Sequence, residues 1–343
     1  MQNPFSLSFG KEPLSRIDRT KQKDEIIDSF NAEYSPSQVY MLTGVRGVGK
    51  TVLLTEISKY FSEKEEWVVI DLTPERDLLS SLAAELYNHQ RLTIIFQQAK
   101  INLSFLGIGI SIDGADPITD TNIAVRRMLQ TLSAQNKKVL ITVDEAVCNA
   151  SMKEFVSLFQ IYIRQDLPVY LILSGLYDKI YELQNEKTLT FLYRAPKIEL
   201  QPLNIGMIAH QYQQIFSLDN GTALSMAKAT KGYSFAYQVL GYYTFKNETN
   251  WENVLPEYRQ TLEEYVYLKL WSELSAKDKN VLISIANADD KQVINIRKSL
   301  DMSSNLFNEY RNRLIKKGIL VSLGYGQLDF ALPYFAEFVQ TMI

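Results

Sequence analysis

The sequence predicts an α/β fold, a parallel sheet covered by helices and followed by further helical segments, and three observations carry that expectation. Strand-like apolar runs at Val39, Val68-Val69-Ile70, Val139, Val169 and Ile198 alternate with segments whose apolar residues recur at helical spacing. A glycine-rich segment of the pattern G-x-x-x-x-G-K-[ST], Gly44 to Thr51, stands between the first of these runs and a helical stretch. The chain of 343 residues, 46% apolar and 22% charged, has ordinary globular composition and enough length for two or three domains.

Taken in order, residues 1–35 read as a strap followed by an amphipathic helix around Glu25, Ile26, Ile27 and Phe30. Val39 to Thr43 is a short buried strand. After the glycine-rich turn, Val52, Leu53, Leu54, Ile57, Tyr60 and Phe61 recur as one helical face. Leu103 to Asp113 alternates large residues with glycine and serine and reads as an inserted hairpin, an edge strand or a simple loop, before a helix over residues 121–135. Val139 to Val143, Val169 to Leu173 and Lys197 to Leu200 supply further strands. Residues 204–250 look helical with a break at Asp219-Asn220-Gly221, Tyr242 and Tyr243 fit core and hinge packing, and Trp251 to Leu270 reads as a linker helix. Beyond it come helices at Ser275 to Ala286, Val293 to Leu300 and Ser303 to Lys317, then Gly318 and two strands around Tyr325.

Charge and cysteine usage exclude several classes. With 36 Lys and Arg against 39 Asp and Glu, the net charge of −3 excludes a generally basic nucleic-acid coat or a polybasic membrane protein, so nucleic-acid contact would need a local patch. A single cysteine, Cys148, excludes an intrachain disulfide framework, and His89 and His210 alone do not make a dedicated zinc site. The N-terminus lacks the apolar core of a signal peptide, and no apolar run approaches the roughly 20 residues of a membrane helix. The expectation is a soluble cytoplasmic protein without membrane contact.

The chemistry concentrates in three places. In the P-loop pattern, backbone N–H groups of Gly44, Val45, Arg46, Gly47, Val48 and Gly49 close around phosphate oxygens at a helix N-terminus, where Val52 follows. Lys50 reaches the β- and γ-phosphates and Thr51 offers a hydroxyl to Mg2+. A glycine-rich turn with a chance Lys-Thr would leave Lys50 without a purpose. Arg46 reads either as a phosphate contact or as an exposed loop arginine. Val139 to Val143 ends in Asp144-Glu145, the hhhhDE pattern of a Walker B site, with Asp144 for Mg2+ and Glu145 to polarise the attacking water. Arg194, within Leu189 to Ala195, stands either as an arginine finger or as a solvated surface residue.

These motifs resemble the AAA+ ATPases related to origin-recognition and initiator ATPases, and the neighbouring STAND group of nucleotide switches. More narrowly, the chain looks like bacterial and archaeal ATP-binding proteins that begin with Asn-Pro-Phe and end in a winged helix. The resemblance is carried by Asn3-Pro4-Phe5 with Phe9-Gly10, Ile17-Asp18-Arg19, Thr51 to Leu54 after the P-loop, Val143 to Glu145, Leu189 to Ala195, Lys231 to Ala236 and Tyr310 to Leu320.

The resemblance implies a P-loop AAA+ parallel sheet of strand order 5-1-4-3-2 with a helical lid and a C-terminal winged helix, divided as 1–203, 204–270 and 271–343. It implies ATP and ADP with Mg2+ as ligands, and ATPase activity. Ser174, at the end of a strand, matches a polar sensor near the γ-phosphate, against the alternative of a Ser-Gly turn. Arg19 lies near the nucleotide or anchors the strap through a salt bridge. Gly232-Tyr233-Ser234-Phe235 departs from the family, lacking both the arginine of Gly-x-x-Arg and the proline of Gly-x-Pro, which favours a slow, switch-like ATPase.

In a DNA-binding winged helix, Ser303, Ser304, Asn305, Asn308 and Arg311 would face the groove of duplex DNA, with Lys316 and Lys317 near phosphates. Residues 251–343 carry 11 Lys and Arg against 12 Asp and Glu, which also leaves open a protein-docking surface. The competing reading is therefore a STAND-like signalling or defence module with ATP-driven homo-oligomerisation and a protein-binding winged helix. A metabolic phosphotransferase lacks a visible acceptor motif.

Overall fold

The strand-like runs form one parallel sheet. The computed structural model describes residues 2–8, 12–101, 103, 120–288, 290–324 and 326–343; Phe9-Gly10, Tyr325 and most of the Leu103 to Asp113 segment lie outside the described residues. The strands are β1 (Val39–Thr43), β2 (Trp67–Leu72), β3 (Lys138–Val143), β4 (Val169–Gly175) and β5 (Lys197–Glu199), in the order β2-β3-β4-β1-β5. Read from the other edge this is 5-1-4-3-2, as the resemblance implies. Helical crossovers make the pairing parallel, and the register runs from Val39 opposite Leu171 to Thr43 opposite Gly175. Because that pairing continues to the end of β1, Ser174 and Gly175 belong to β4, and the Ser-Gly turn does not form.

Both sheet faces are covered. Helices α1 (Thr20–Asn31), α2 (Lys50–Ser62), α3 (Leu78–Asn88), α4 (Thr93–Gln98), α5 (Thr121–Ala134), α6 (Ala150–Arg164) and α7 (Tyr177–Gln184) are interleaved with the strands. On one face Val39, Met41, Ile141, Val143, Leu171 and Leu173 share a core with Leu82, Met128, Phe155 and Phe159. The alternate strand positions meet α1 and α2 through rings: Phe30 lies 4.9 Å from Tyr170, Phe61 4.2 Å from Trp67, and Trp67 4.9 Å from Tyr170. Two-sided burial explains why every residue of β1 and β4 is buried and why their sequences are nearly continuous apolar runs.

The chain divides into two compact units, one of residues 19–43 and 50–199 and the other of residues 1–18, 44–49 and 200–343. The second unit contains α8 (Ile205–Phe216), α9 (Asn220–Lys228), α10 (Ser234–Asn247), α11 (Leu255–Leu262), α12 (Leu268–Ser272), α13 (Ala276–Ala286), α14 (Val293–Ser299), α15 (Ser304–Lys316), an antiparallel hairpin of β6 (Leu320–Gly324) and β7 (Gln327–Phe330), and α16 (Phe335–Thr341). The expected break at Asp219 is the start of α9, whose first N–H groups Asp219 caps at Gly221 and Thr222. The expected single linker helix is interrupted by a π turn, Glu263–Tyr267, where Tyr267 is buried and its hydroxyl donates to Pro333 O at 2.5 Å. One hydrophobic core runs from Tyr212 and Tyr237 through Tyr258 and Tyr267 to Phe307 and Phe335. Among the described residues, no helix is long and apolar enough to cross a membrane.

The N-terminal strap belongs to this second core. Asn3 Nδ2 donates to Tyr242 O at 3.1 Å, and Ser6 N–H to Gln238 Oε1 at 3.0 Å. Phe5 is buried, stacked on Phe216 at 5.7 Å and edge-on to Tyr237 at 5.5 Å. Gly241 on α10 makes room for it, since a Cβ there would lie 2.4 Å from the Phe5 ring. Phe5→Ala is therefore expected to destabilise this unit by about 3–5 kcal/mol, the cost of an emptied aromatic site. Gly241→Ala should act in the same direction by overpacking. Urea denaturation midpoints that match wild type for both variants would show that the strap does not pack on α10.

Candidate functional site

At the C-terminal end of the sheet, polar side chains from several strands come out together. Helix α2 opens at Lys50, which puts Lys50, Thr51 and Val52 in its first turn. Thr51 Oγ1 donates to Asp144 Oδ2 at 2.6 Å, and Asp144 is the residue after β3. The other carboxylate oxygen of Asp144 accepts the N–H of Glu145 at 2.9 Å. Glu145 is exposed and has φ +51°, a left-handed conformation costing a non-glycine residue about 1 kcal/mol. The next peptide holds it there: Ala146 N–H donates to Ser174 O at 2.8 Å. Local strain at a strand end, beside a paired hydroxyl and carboxylate, is the kind of place where function is built.

Among the described residues, two hydroxyls of the same sheet edge are buried without a hydrogen-bond partner, Thr43 Oγ1 and Ser174 Oγ. Leaving such a group unsatisfied costs about 1–3 kcal/mol, so these oxygens are suited to a ligand atom. Asp71, near the end of β2, accepts hydrogen bonds from Thr142, its register partner on β3, and from Ser58 Oγ at 3.4 Å.

The glycine-rich loop itself, Gly44 to Gly49, is gripped by the Lys231 to Ala236 segment. Tyr233 Oη donates to Arg46 O at 2.6 Å, the Phe235 N–H to Gly47 O at 3.1 Å, and Ser234 Oγ to Val48 O at 2.8 Å. Helix α10 has no side-chain cap at its N-terminus, and Gly47 O serves one of its first N–H groups instead. Burial holds the Tyr233 phenol far above its ordinary value, with the Arg46 charge acting weakly the other way, so it stays a neutral donor. Arg46 turns toward Glu273 at 3.7 Å and is half-buried, so it is not an exposed loop arginine. Gly318 lies against Val45, leaving 3.0 Å between the Val45 Cβ and a Cβ built on Gly318.

Comparisons with known proteins agree with this architecture. The Walker-type ATPase of Pyrococcus abyssi superposes with a TM-score of 0.66 at 17% identity, over 94% of this chain and 95% of that one. The ORC2 protein of Aeropyrum pernix, in its ADPNP-ADP complexes, gives 0.55 at 14% identity, over 95% and 94%. The fold is a P-loop AAA+ fold. Residues 264–339 match a family described as a domain of unknown function (DUF8462), and residues 21–105 one described as mitochondrial ribosomal death-associated protein 3. No curated protein matches the sequence.

Within this AAA+ fold the expected site residues separate into two groups. Thr51, Asp144, Glu145 and Ser174 are gathered at the sheet edge. Arg194 ends a 3-10 turn, Thr190–Arg194, is exposed, and makes no hydrogen bond or ion pair among the described residues. Arg19 precedes α1 and interacts with Glu56; burial pulls its guanidinium down to about 10 against the pull of that carboxylate, leaving a cation at neutral pH. The meeting of Thr51 with Asp144 fits a hard divalent cation, which takes oxygen ligands of this kind.

Sequence reasoning missed Asp71 and the contacts of Tyr233 and Ser234. Asp71 carried a signal, an apolar run ending in an acid as at Val143-Asp144. The other two carried none, because their partners lie 187 and 186 residues away in sequence.

Lys231, at the head of the gripping segment, donates to Phe330 O at 2.8 Å and lies 3.5 Å from Asp329, which Lys291 also approaches at 2.7 Å. Desolvation pushes the Asp329 carboxyl up, but the Lys291 hydrogen bond and the two lysine charges outweigh it and leave it below 3.8. A carboxylate depressed in the fold contributes stability above its unfolded value and loses it as pH falls through the folded one. Asp329→Asn should thus cost about 0.5 kcal/mol at pH 7 after solvent screening, and nothing once both carboxyl states are protonated. A destabilisation independent of pH between 7 and 2.5, in thermal melts of the two proteins, would refute this assignment.

Proposed function

We propose that this chain binds ATP and ADP with Mg2+ on its P-loop and hydrolyses ATP slowly, working as a nucleotide-controlled switch. The contact between Thr51 and Asp144, one residue on from Lys50, carries this reading. Gly44, Val45, Arg46, Gly47, Val48 and Gly49 would wrap the phosphates, and Lys50 would neutralise them. Thr51 and Asp144 would hold Mg2+, which when bound supplies charge neutralisation on the β- and γ-phosphates. Glu145, exposed at the strand end, would polarise the attacking water, and Ser174 would use its unpaired hydroxyl on a phosphate oxygen or on that water. Slow turnover follows from a lid segment without a cation at Gly232-Tyr233-Ser234-Phe235 and from an Arg194 that stands exposed, available to act only if a neighbouring element or subunit brings phosphate to it. Residues 1–203 would form the nucleotide domain, with its strap, residues 1–18, packed on α8 and α10 of the lid, 204–270 the lid and linker, and 271–343 the winged helix.

Of the two partners considered for the winged helix, the side chains favour protein over duplex DNA. Arg313 is tied to the buried Asp278 at 2.5 Å, and Arg311 is directed at Ser322 on β6, with Nη2 3.5 Å from its hydroxyl and Nε enclosed. Of the exposed residues of α15 and its cap, Ser303 to Leu306, Asn308, Glu309, Asn312 and Lys316, a single one is a cation and one is an acid, and Lys317 beyond it is half-buried. A face with few cations has little to gain from phosphate contacts. Self-association or docking of another protein is therefore the preferred output of the switch.

Two experiments test these statements. Lys50→Ala should weaken Mg-ADP binding at least tenfold in calorimetry, the worth of a lost charged hydrogen bond. Glu145→Gln should bind within about twofold of wild type and lose hydrolysis by roughly a hundredfold or more in a phosphate-release assay. Wild-type turnover in Glu145→Gln would remove Glu145 from the reaction. In light scattering, Glu145→Gln with Mg-ATP should gain mass without DNA. Duplex binding that requires ATP and falls steeply with salt would instead restore the DNA reading.

A further inference from the structure

The Lys231 to Ala236 segment touches the P-loop through its carbonyls, and the pattern of those bonds is ordered. Three consecutive loop residues, Arg46, Gly47 and Val48, have their carbonyl oxygens bound by three consecutive residues, Tyr233, Phe235 and Ser234 taken in loop order. In a planar trans peptide the N–H points opposite to the C=O. Binding the carbonyls of residues 46, 47 and 48 from one side therefore turns the N–H groups of Gly47 and Gly49 to the other, while the Val48 N–H closes a turn on Val45 O at 3.3 Å. N–H groups gathered on one side of a loop make a donor set that takes phosphate oxygens.

A second observation points the same way. Gly47 occupies a variable position of the G-x-x-x-x-G-K-[ST] pattern, yet it has φ +76° and a Cβ there would lie 2.2 Å from Tyr233 Oη. The glycine is demanded by the tyrosine as well as by the backbone. Tyr233 is buried and Ser234 half-buried, so the donors are shielded from competing water.

We propose that Tyr233 and Ser234 are positioning residues for the phosphate loop, forming with the Phe235 N–H a clasp that fixes three loop peptides and so aligns the Gly47 and Gly49 N–H groups on nucleotide phosphate. This rests on the nucleotide-binding reading above. The clasp acts on the loop and not on the ligand, so its contribution is to phosphate affinity regardless of the base. It explains how a Gly232-Tyr233-Ser234-Phe235 segment without the family's arginine can still favour a phosphate-bearing ligand.

The test uses the full chain and measures Kd for Mg-ADP and for Mg-pyrophosphate in wild type, Tyr233→Phe, Ser234→Ala and Ser234→Thr, with a thermal melt of each. Tyr233→Phe and Ser234→Ala should each raise both constants by about fivefold, the worth of one buried hydrogen bond. Ser234→Thr, which keeps the hydroxyl, should remain within about twofold of wild type. Hydrogen exchange of a peptide spanning the loop should quicken in the two deletion variants before ligand is added. Unchanged or tighter binding in Tyr233→Phe and Ser234→Ala would overturn the clasp while leaving the nucleotide reading intact, tighter binding marking the contact as inhibitory. A Kd loss that Ser234→Thr shares, or that appears only with a lowered melting temperature and unchanged loop exchange, would reduce the contact to ordinary packing and overturn the positioning role. Failure of wild type to bind either ligand would instead sink the nucleotide reading and the clasp with it.

Discussion

A parallel sheet covered on both faces has almost nowhere to keep a polar side chain, and the rest of this structure is arranged around that constraint. In its four longer strands the short polar residues stand at the last or next-to-last position: Thr43 on β1, Asp71 on β2, Thr142 on β3 and Ser174 on β4. Strands that must be apolar along their length can change character only where they leave the sheet. Chemistry at the C-terminal edge is therefore a consequence of burial, and it is the same edge from which the P-loop departs. The unsatisfied hydroxyls of Thr43 and Ser174 are the expensive part of this arrangement. A fold selected only for stability would have apolar groups there.

The loop that follows β1 meets a different requirement. A glycine-rich turn is conformationally loose, and its N–H groups bind an anion well only if their directions are set beforehand. Here the direction is imposed from behind, through carbonyl oxygens, by side chains of a buried tyrosine and a half-buried serine and by the first turn of α10. Tyr233 is suited to this task because its burial keeps the phenol protonated and its ring fixes the hydroxyl in place. Gly232, at φ +75° with Leu203 O 2.5 Å from any Cβ, sets the turn that presents it.

Much of this was legible in the sequence, for reasons that differ from part to part. The strands could be read because two-sided burial makes β1, β3 and β4 uninterrupted apolar runs, and the P-loop because its glycines and Lys50-Thr51 obey a local spacing. The strand order needed the family resemblance, since periodicity says nothing about which strands are neighbours. The apolar run alone ends its strand at Leu173, because a Ser-Gly pair reads locally as a turn, whereas pairing with Leu42 and Thr43 holds Ser174 and Gly175 in β4. Arg311 looked like a groove-facing cation from helical spacing alone, whereas its guanidinium is directed at Ser322 on the hairpin. The segment Lys231 to Ala236 was legible only as a departure from a pattern. What it does instead depends on contacts nearly two hundred residues away in sequence, which no local signal encodes.

The same segment also bears on how a change at the loop would be felt elsewhere. Lys231 reaches Phe330 O and Asp329 on β7, two and three residues before Tyr233 and Ser234 reach the P-loop. Arg46 faces Glu273 just beyond α12, and Val45 packs at the Gly318 turn between α15 and β6. The loop, the Lys231 to Ala236 segment and the hairpin thus share one set of contacts, and one core runs behind them. A loop that repositioned its carbonyls would have to break bonds to the lid or carry Lys231, and with it the hairpin, along. Since close-packed interiors rearrange between discrete states and do not deform smoothly, the switch proposed above would have the hairpin as one of the elements that its loop state can move.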